Sequence, residues 1–161
     1  DASRAGDLPS PAEERGGAGG AGAGDDPPLI LVVEDDSRLR DVLADFLALK
    51  GFRTAQADGV TEACAAALRL RPALLLTDLT LRGATSSLPD GVHLVNLVRR
   101  TPGLERLPAI LHTAAPAEAR ALLRRTSLDP PVPVVEKPSD FAFLCSLIDR
   151  ALLGARSEAD V

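Results

Sequence analysis

The sequence predicts an α/β domain: a five-stranded parallel sheet in the order 2-1-3-4-5 with helices on both faces. Three observations carry this. Apolar runs of strand length alternate five times with helix-length segments of amphipathic spacing. The central runs, such as Leu29-Ile30-Leu31-Val32-Val33 and Ala73-Leu74-Leu75-Leu76, are apolar on consecutive residues, as strands covered on both faces require. Regular alternation of this kind implies right-handed crossovers and helices on both sides of a parallel sheet.

The elements follow in order. The first strand, 29–33, leads through Glu34-Asp35-Asp36 into a helix carrying Leu39, Val42, Leu43, Phe46 and Leu47, and Gly51 stops it. Asp36 is placed to cap that helix. A second strand is expected over 52–56, then a helix with Val60, Cys64, Ala67 and Leu68 inward. The third strand, 73–77, precedes Asp78 and a polar loop to Asp90-Gly91, where a helix with Leu94, Leu97 and Val98 begins. The fourth strand is expected over 108–112, and Pro116 opens a short Ala/Arg-rich helix reaching about Ser127. The fifth strand is expected over 132–135 and the last helix over 139–153.

Residues 1–28 differ from the rest. They hold a Gly/Ala tract, Gly16 to Gly24, followed by Asp25-Asp26-Pro27-Pro28, and offer too little apolar surface to offset the entropy of ordering. The expected organisation is therefore a disordered linker or tail at 1–28, one domain at 29–154 and a flexible tail at 155–161. The chain contains no methionine, even at its start, which suggests a processed chain or a piece of something larger.

Bulk properties narrow the function. The 161-residue chain is 45% hydrophobic with a net charge of -5, so nothing favours nucleic acid or an anionic membrane through overall charge. No apolar run approaches the roughly 18 residues of a membrane span, and no secretory signal opens the chain. Cys64 and Cys145 form no ligand motif and fall on apolar helical faces, as small hydrophobes do, which fits a reducing, cytoplasmic setting. Of the 18 basic residues only Lys50 and Lys137 are lysine, so each lysine stands out.

Ligands of such folds bind beyond the carboxyl ends of the strands. There the sequence puts Glu34-Asp35-Asp36, Asp78, Thr113 and Lys137-Pro138, at the ends of strands one, three, four and five. Clustered carboxylates raise one another's pKa unless a cation sits among them. Magnesium suits an all-oxygen set and leaves positions for phosphate oxygens. Lys137 can then neutralise an incoming phosphoryl group, Thr113 can donate a hydrogen bond to it, and Asp78 is the nucleophile.

Ile30-Leu31-Val32-Val33-Glu34-Asp35-Asp36, Leu75-Leu76-Thr77-Asp78-Leu79, Asp90-Gly91, Leu111-His112-Thr113-Ala114 and Val135-Glu136-Lys137-Pro138 together resemble the motifs of response-regulator receiver domains, which have a flavodoxin-like fold. The resemblance covers about residues 29–154. It implies that Glu34 and Asp35 hold magnesium with Asp78 and the backbone carbonyl of Thr80. It also implies that Asp78 accepts the phosphoryl group, that Thr113 is the switch hydroxyl and that Lys137 contacts the phosphate. The implied partner is a histidine kinase or a histidine phosphotransfer protein, and the chain would catalyse only its own phosphorylation and dephosphorylation. A phosphatase of the haloacid-dehalogenase type would carry a second aspartate two residues after the nucleophile, where Thr80 stands.

Departures from the pattern concern output. The family's aromatic three residues before the lysine is Val134 here, proline is replaced by Arg82, and Gly83 to Pro89 look like an insertion. Pro130-Pro131 stands where the family has a Gly-Ala turn. They leave open a second reading, a receiver-like module that docks partners without phosphorylation. The resemblance places signalling on the face of the fourth helix, fifth strand and fifth helix. There Phe143 and Leu147 lie off the core stripe of Phe141, Leu144, Cys145, Ile148 and Leu152, and they are the candidate contact for a partner or a second copy. His93 is expected to face solvent, and His112 to be structural.

Overall fold

The computed structural model describes residues 26–81 and 89–159. Residues 1–25 of the expected linker, Arg82, most of the expected insertion and the last two residues lie outside the described residues. Five strands form one parallel sheet in the order β2-β1-β3-β4-β5. They are β1 (Leu29–Val33), β2 (Arg53–Ala57), β3 (Leu74–Thr77), β4 (Ala109–Thr113) and β5 (Val134–Glu136). Between and after them run α1 (Ser37–Leu49), α2 (Val60–Leu70), α3 (Asp90–Arg99), α4 (Pro116–Thr126) and α5 (Phe141–Ala159).

The pleat divides each central strand between two cores. Ile30 and Val32 of β1, Leu74 and Leu76 of β3 and Ile110 of β4 face Leu43, Leu47, Leu144 and Ile148 of α1 and α5. Leu31, Val33, Leu75, Ala109 and Leu111 face the opposite core, with Ala63, Ala66 and Ala67 of α2, Leu94, Val95 and Val98 of α3 and Ala119 of α4. All the strand residues named are buried, which accounts for their unbroken apolar runs.

Local signals set the boundaries. Asp36 caps α1, its carboxylate accepting from Arg38 N and Leu39 N at 3.0 and 3.2 Å, an arrangement that contributes roughly 0.5–2 kcal/mol. Gly51, at φ 92°, ends the turn after α1 in the left-handed region that favours glycine. Pro116 sits in the first turn of α4, where its missing N–H costs nothing.

Four expectations are corrected. Val42 and Leu68 are about half exposed, so the buried stripes of α1 and α2 are narrower than their apolar spacing suggested. β5 begins at Val134 rather than 132, because Pro131 and Pro133 have no N–H to give the ladder, although Pro133 O already accepts from Leu111 N. The last helix starts at Phe141 and runs through Ala159, five residues beyond the boundary set at 154. An exposed bidentate pair from Arg106 to Glu158, 3.0 Å for each bond, joins its final turn to the loop before β4. Phe143 is exposed, but Leu147 packs partly against the α1/α5 core, so the two do not form one free surface pair.

Candidate functional site

The strand order brings the ends of β1, β3, β4 and β5 together at one edge of the sheet. Glu34 follows β1 directly. Its N–H bonds Ala57 O of β2, and its carbonyl accepts from Arg40 Nη1 at 2.7 Å. Its side chain is buried, and one carboxylate oxygen accepts from the N–H of Asp36 at 3.3 Å. Asp78 follows β3, tied back by its N–H to Val33 O. One of its carboxylate oxygens accepts from Leu79 N at 2.7 Å. Carboxylate oxygens of Glu34, Asp35 and Asp78 all lie within 4.8 Å of one another.

Lys137, just past β5, reaches into this group. Its Nζ donates to Glu34 Oε2 at 2.6 Å and to Asp78 Oδ2 at 2.9 Å. Its backbone N–H donates to Thr113 O at 2.9 Å, locking its position to β4. Burial disfavours the ammonium, but the bonds to Glu34 and Asp78 outweigh it and hold Lys137 above the usual lysine range. Glu34 moves upward too. Burial is the main cause and the Asp78 charge adds to it, against the opposing hydrogen bond from Lys137. A hard cation beside three carboxylates would relieve that penalty, and an all-oxygen donor set suits magnesium.

The other two expected site residues are Thr113 and Thr80. The Thr113 hydroxyl is buried and accepts from Ala115 N at 3.0 Å. Thr80 is exposed in the loop two residues beyond Asp78.

Three supports were not assigned by sequence reasoning. Asp90, at the start of α3, is buried and accepts from Leu81 N at 3.0 Å, which fixes the chain emerging from Asp78. Gly91 donates its N–H to Leu79 O at 2.8 Å. A Cβ at Gly91 would stand 2.2 Å from Asp78 O, so only glycine admits this close approach. The Asp90-Gly91 pair was visible in the sequence, but its burial against the loop after Asp78 was not. Arg40, which grips the Glu34 carbonyl, left no sequence signal beyond its place in the first helix.

The sequence profile described as the response regulator receiver domain matches residues 30–148. The chain belongs to the response regulator receiver family. As a receiver domain it shares its fold with NtrX from Brucella abortus solved with ATP, at TM-score 0.71 and 26% identity; the match covers 83% of this chain and 28% of NtrX. The chain thus spans little more than a quarter of that relative. It resembles the separate receiver domain of NtrX from the same organism at TM-score 0.65 and 27% identity, covering 76% of this chain and 97% of that one. A CheY-like receiver domain protein from Methanospirillum hungatei JF-1 gives TM-score 0.70 at 21% identity, over 82% and 98% of the two chains. No curated protein sequence matches. Receiver domains belong to two-component signalling, whose partners in general are histidine kinases. Among the described residues of this receiver, no helix is long and apolar enough to cross a membrane.

Proposed function

We propose that this receiver accepts a phosphoryl group on Asp78 from a phosphohistidine donor, a histidine kinase or phosphotransfer protein, with magnesium. The observation that carries the reading is the Lys137 ammonium shared between Asp78 and Glu34 beside a third carboxylate. Glu34, Asp35, Asp78 and the Thr80 carbonyl would hold the ion. Magnesium, when bound, supplies positive charge to the phosphoryl oxygens.

The remaining steps belong to the chain. An Asp78 carboxylate oxygen attacks phosphorus. The P–N bond of the donor breaks, its electron pair returns to the imidazole nitrogen, and that nitrogen takes a proton. Asp78 is left as an acyl phosphate. Lys137 follows the charge from the carboxylate to a phosphoryl oxygen, and the Thr113 hydroxyl exchanges its contact with Ala115 N for one to the phosphoryl group. Positioning and charge neutralisation supply the rate, so the chain acts on itself alone and not as a conventional enzyme.

Residues 1–28 are read as a linker or tail of this unit. A cytoplasmic setting follows from the donor class. Val134 favours a second reading, phosphorylation-independent docking, because a small β-branched side chain cannot swing a ring between buried and exposed positions.

Intact-mass spectrometry with a small phosphodonor tests the first reading. One added phosphoryl group is expected with magnesium and far less with a chelator. Lys137→Ala should react roughly 100-fold more slowly, in the range seen when one charge-stabilising donor is removed. No added mass in the parent chain with magnesium would leave the docking reading.

A further inference from the structure

His112 is an expensive residue for its place. It lies on β4 in step with Ile110, on the side of the sheet that faces α1 and α5, whereas Thr113 shares its side with Leu111. It is 2% exposed. Its Nε2 lies 2.9 Å from Ser139 Oγ, while Nδ1 is buried with no hydrogen-bond partner among the described residues. Burial, reinforced by the nearby Lys137 charge, pushes its pKa down to about 4, so the ring is neutral near pH 7. A proton on Nε2 leaves a bare lone pair at Nδ1, a less costly orphan than a buried N–H. An apolar side chain would fit the same wall with no orphaned atom at all.

The bond to Ser139 explains why an imidazole is worth keeping. Two bonds to consecutive residues of β4 hold Lys137 and the two residues after it. On one side, Lys137 N donates to Thr113 O at 2.9 Å. On the other, two residues on, Ser139 meets His112. Asp140 then turns the chain into α5, its carboxylate accepting from Ala142 N at 2.9 Å. The segment from Lys137 to Ser139 is thereby tied to β4 at both ends, and its first residue is the one whose Nζ bridges Glu34 and Asp78. His112, Ser139 and Lys137 also line one cavity of about 430 Å³ with Leu39, Pro138 and Phe141.

We propose that His112 and Ser139 are a positioning pair, whose hydrogen bond holds the loop of Lys137 so that its ammonium stays aimed at Asp78 as the phosphoryl group arrives. Neither residue belongs to the acidic cluster, and both act through Lys137. The inference rests on the phosphoacceptor reading for its consequence, but its geometric half stands apart from it.

The test uses the full chain with His112→Leu, Ser139→Ala, Ser139→Thr and the double variant His112→Leu/Ser139→Ala. Three quantities are measured: denaturant stability, phosphorylation rate against acetyl phosphate concentration with magnesium, and the nitrogen NMR resonance of the Lys137 side chain. His112→Leu should be at least as stable as the parent, since it removes the orphaned nitrogen. Its maximal rate should nevertheless fall about 5- to 20-fold, less than the ~100-fold that a full 1 Å misplacement can cost. The donor concentration for half-maximal rate should stay unchanged. Ser139→Ala should match it, Ser139→Thr should recover most of the rate, and the double variant should be no slower than either single. The Lys137 resonance should shift in both singles and return in Ser139→Thr.

Unchanged maximal rates in the folded single variants would overturn the proposal. So would losses that Ser139→Thr fails to restore. If His112→Leu does not fold, Ser139→Ala and Ser139→Thr decide the matter alone. If the parent takes up no phosphoryl group, the phosphoacceptor reading fails. The Lys137 resonance then judges the pair separately: a shift in Ser139→Ala supports it, and none overturns it.

Discussion

The carboxyl edge of the sheet and the face made by α4, β5 and α5 are built on opposite plans. At the edge, charged side chains and close backbone contacts engage one another. Lys137 serves Glu34 and Asp78 together, Asp90 holds Leu81 N, and Gly91 leaves room for Asp78 O. On the other face, Val134 is small and β-branched, Phe143 is 53% exposed, and a cavity of about 390 Å³ opens among Arg120, Leu123, Arg124, Leu128, Val132 and Val134. The face has apolar and guanidinium surface with little to impose an arrangement. The edge ties its charged groups to one another, whereas the face leaves an aromatic ring and an open cavity on its surface.

The comparison breaks most readily at Gly91. A Cβ there would stand 2.2 Å from the Asp78 carbonyl and 3.0 Å from Leu111 Cδ2. Backbone on one side leaves little to yield, so Gly91→Ala should destabilise the chain by about 1–3 kcal/mol, the usual cost of overpacking. It should also slow phosphorylation by displacing Asp78. Chemical denaturation and donor kinetics measure the two effects. A stable, fully reactive Gly91→Ala would show that the edge is looser than its hydrogen bonds indicate.

Phe143 offers the smaller and opposite test. Its ring is more than half exposed, so Phe143→Ser should change folding stability by less than about 1 kcal/mol. It should leave phosphorylation of Asp78 unchanged while weakening any self-association or partner binding through α5. Leu147→Ser should cost more stability, because Leu147 packs partly into the α1/α5 core. Sedimentation and denaturation separate these outcomes. Equal stability losses in the two variants would show that Phe143 is core and not surface.

How far each region could be read from residues alone follows the same division. Unbroken apolar strands, five alternations and motif residues at four strand ends sufficed for the sheet order and for the placement of Glu34, Asp35, Asp78 and Lys137 on one edge. Strand ends are set by covalent order, so topology alone brings them together. What escaped depends on side chains from elements distant in sequence. The Asp90 bond to Leu81 N, the Arg40 grip on Glu34 O and the His112 contact with Ser139 leave no periodic trace. Helix faces were overread where apolar residues flank the stripe, as at Val42 and Leu68. The last turn of α5 carries an exposed ion pair across 52 residues, from Arg106 to Glu158, that no local pattern announces.

The central claim, that Asp78 is where the phosphoryl group arrives, is tested most directly by mapping the label. The chain is incubated with magnesium and a small phosphodonor, then digested and sequenced by mass spectrometry, beside Asp78→Asn treated identically. The account predicts a single base-labile phosphoryl group on the peptide containing Asp78 and none in Asp78→Asn. Equal labelling of Asp78→Asn, or a label at Glu34, Asp35 or a histidine in the parent chain, would contradict it.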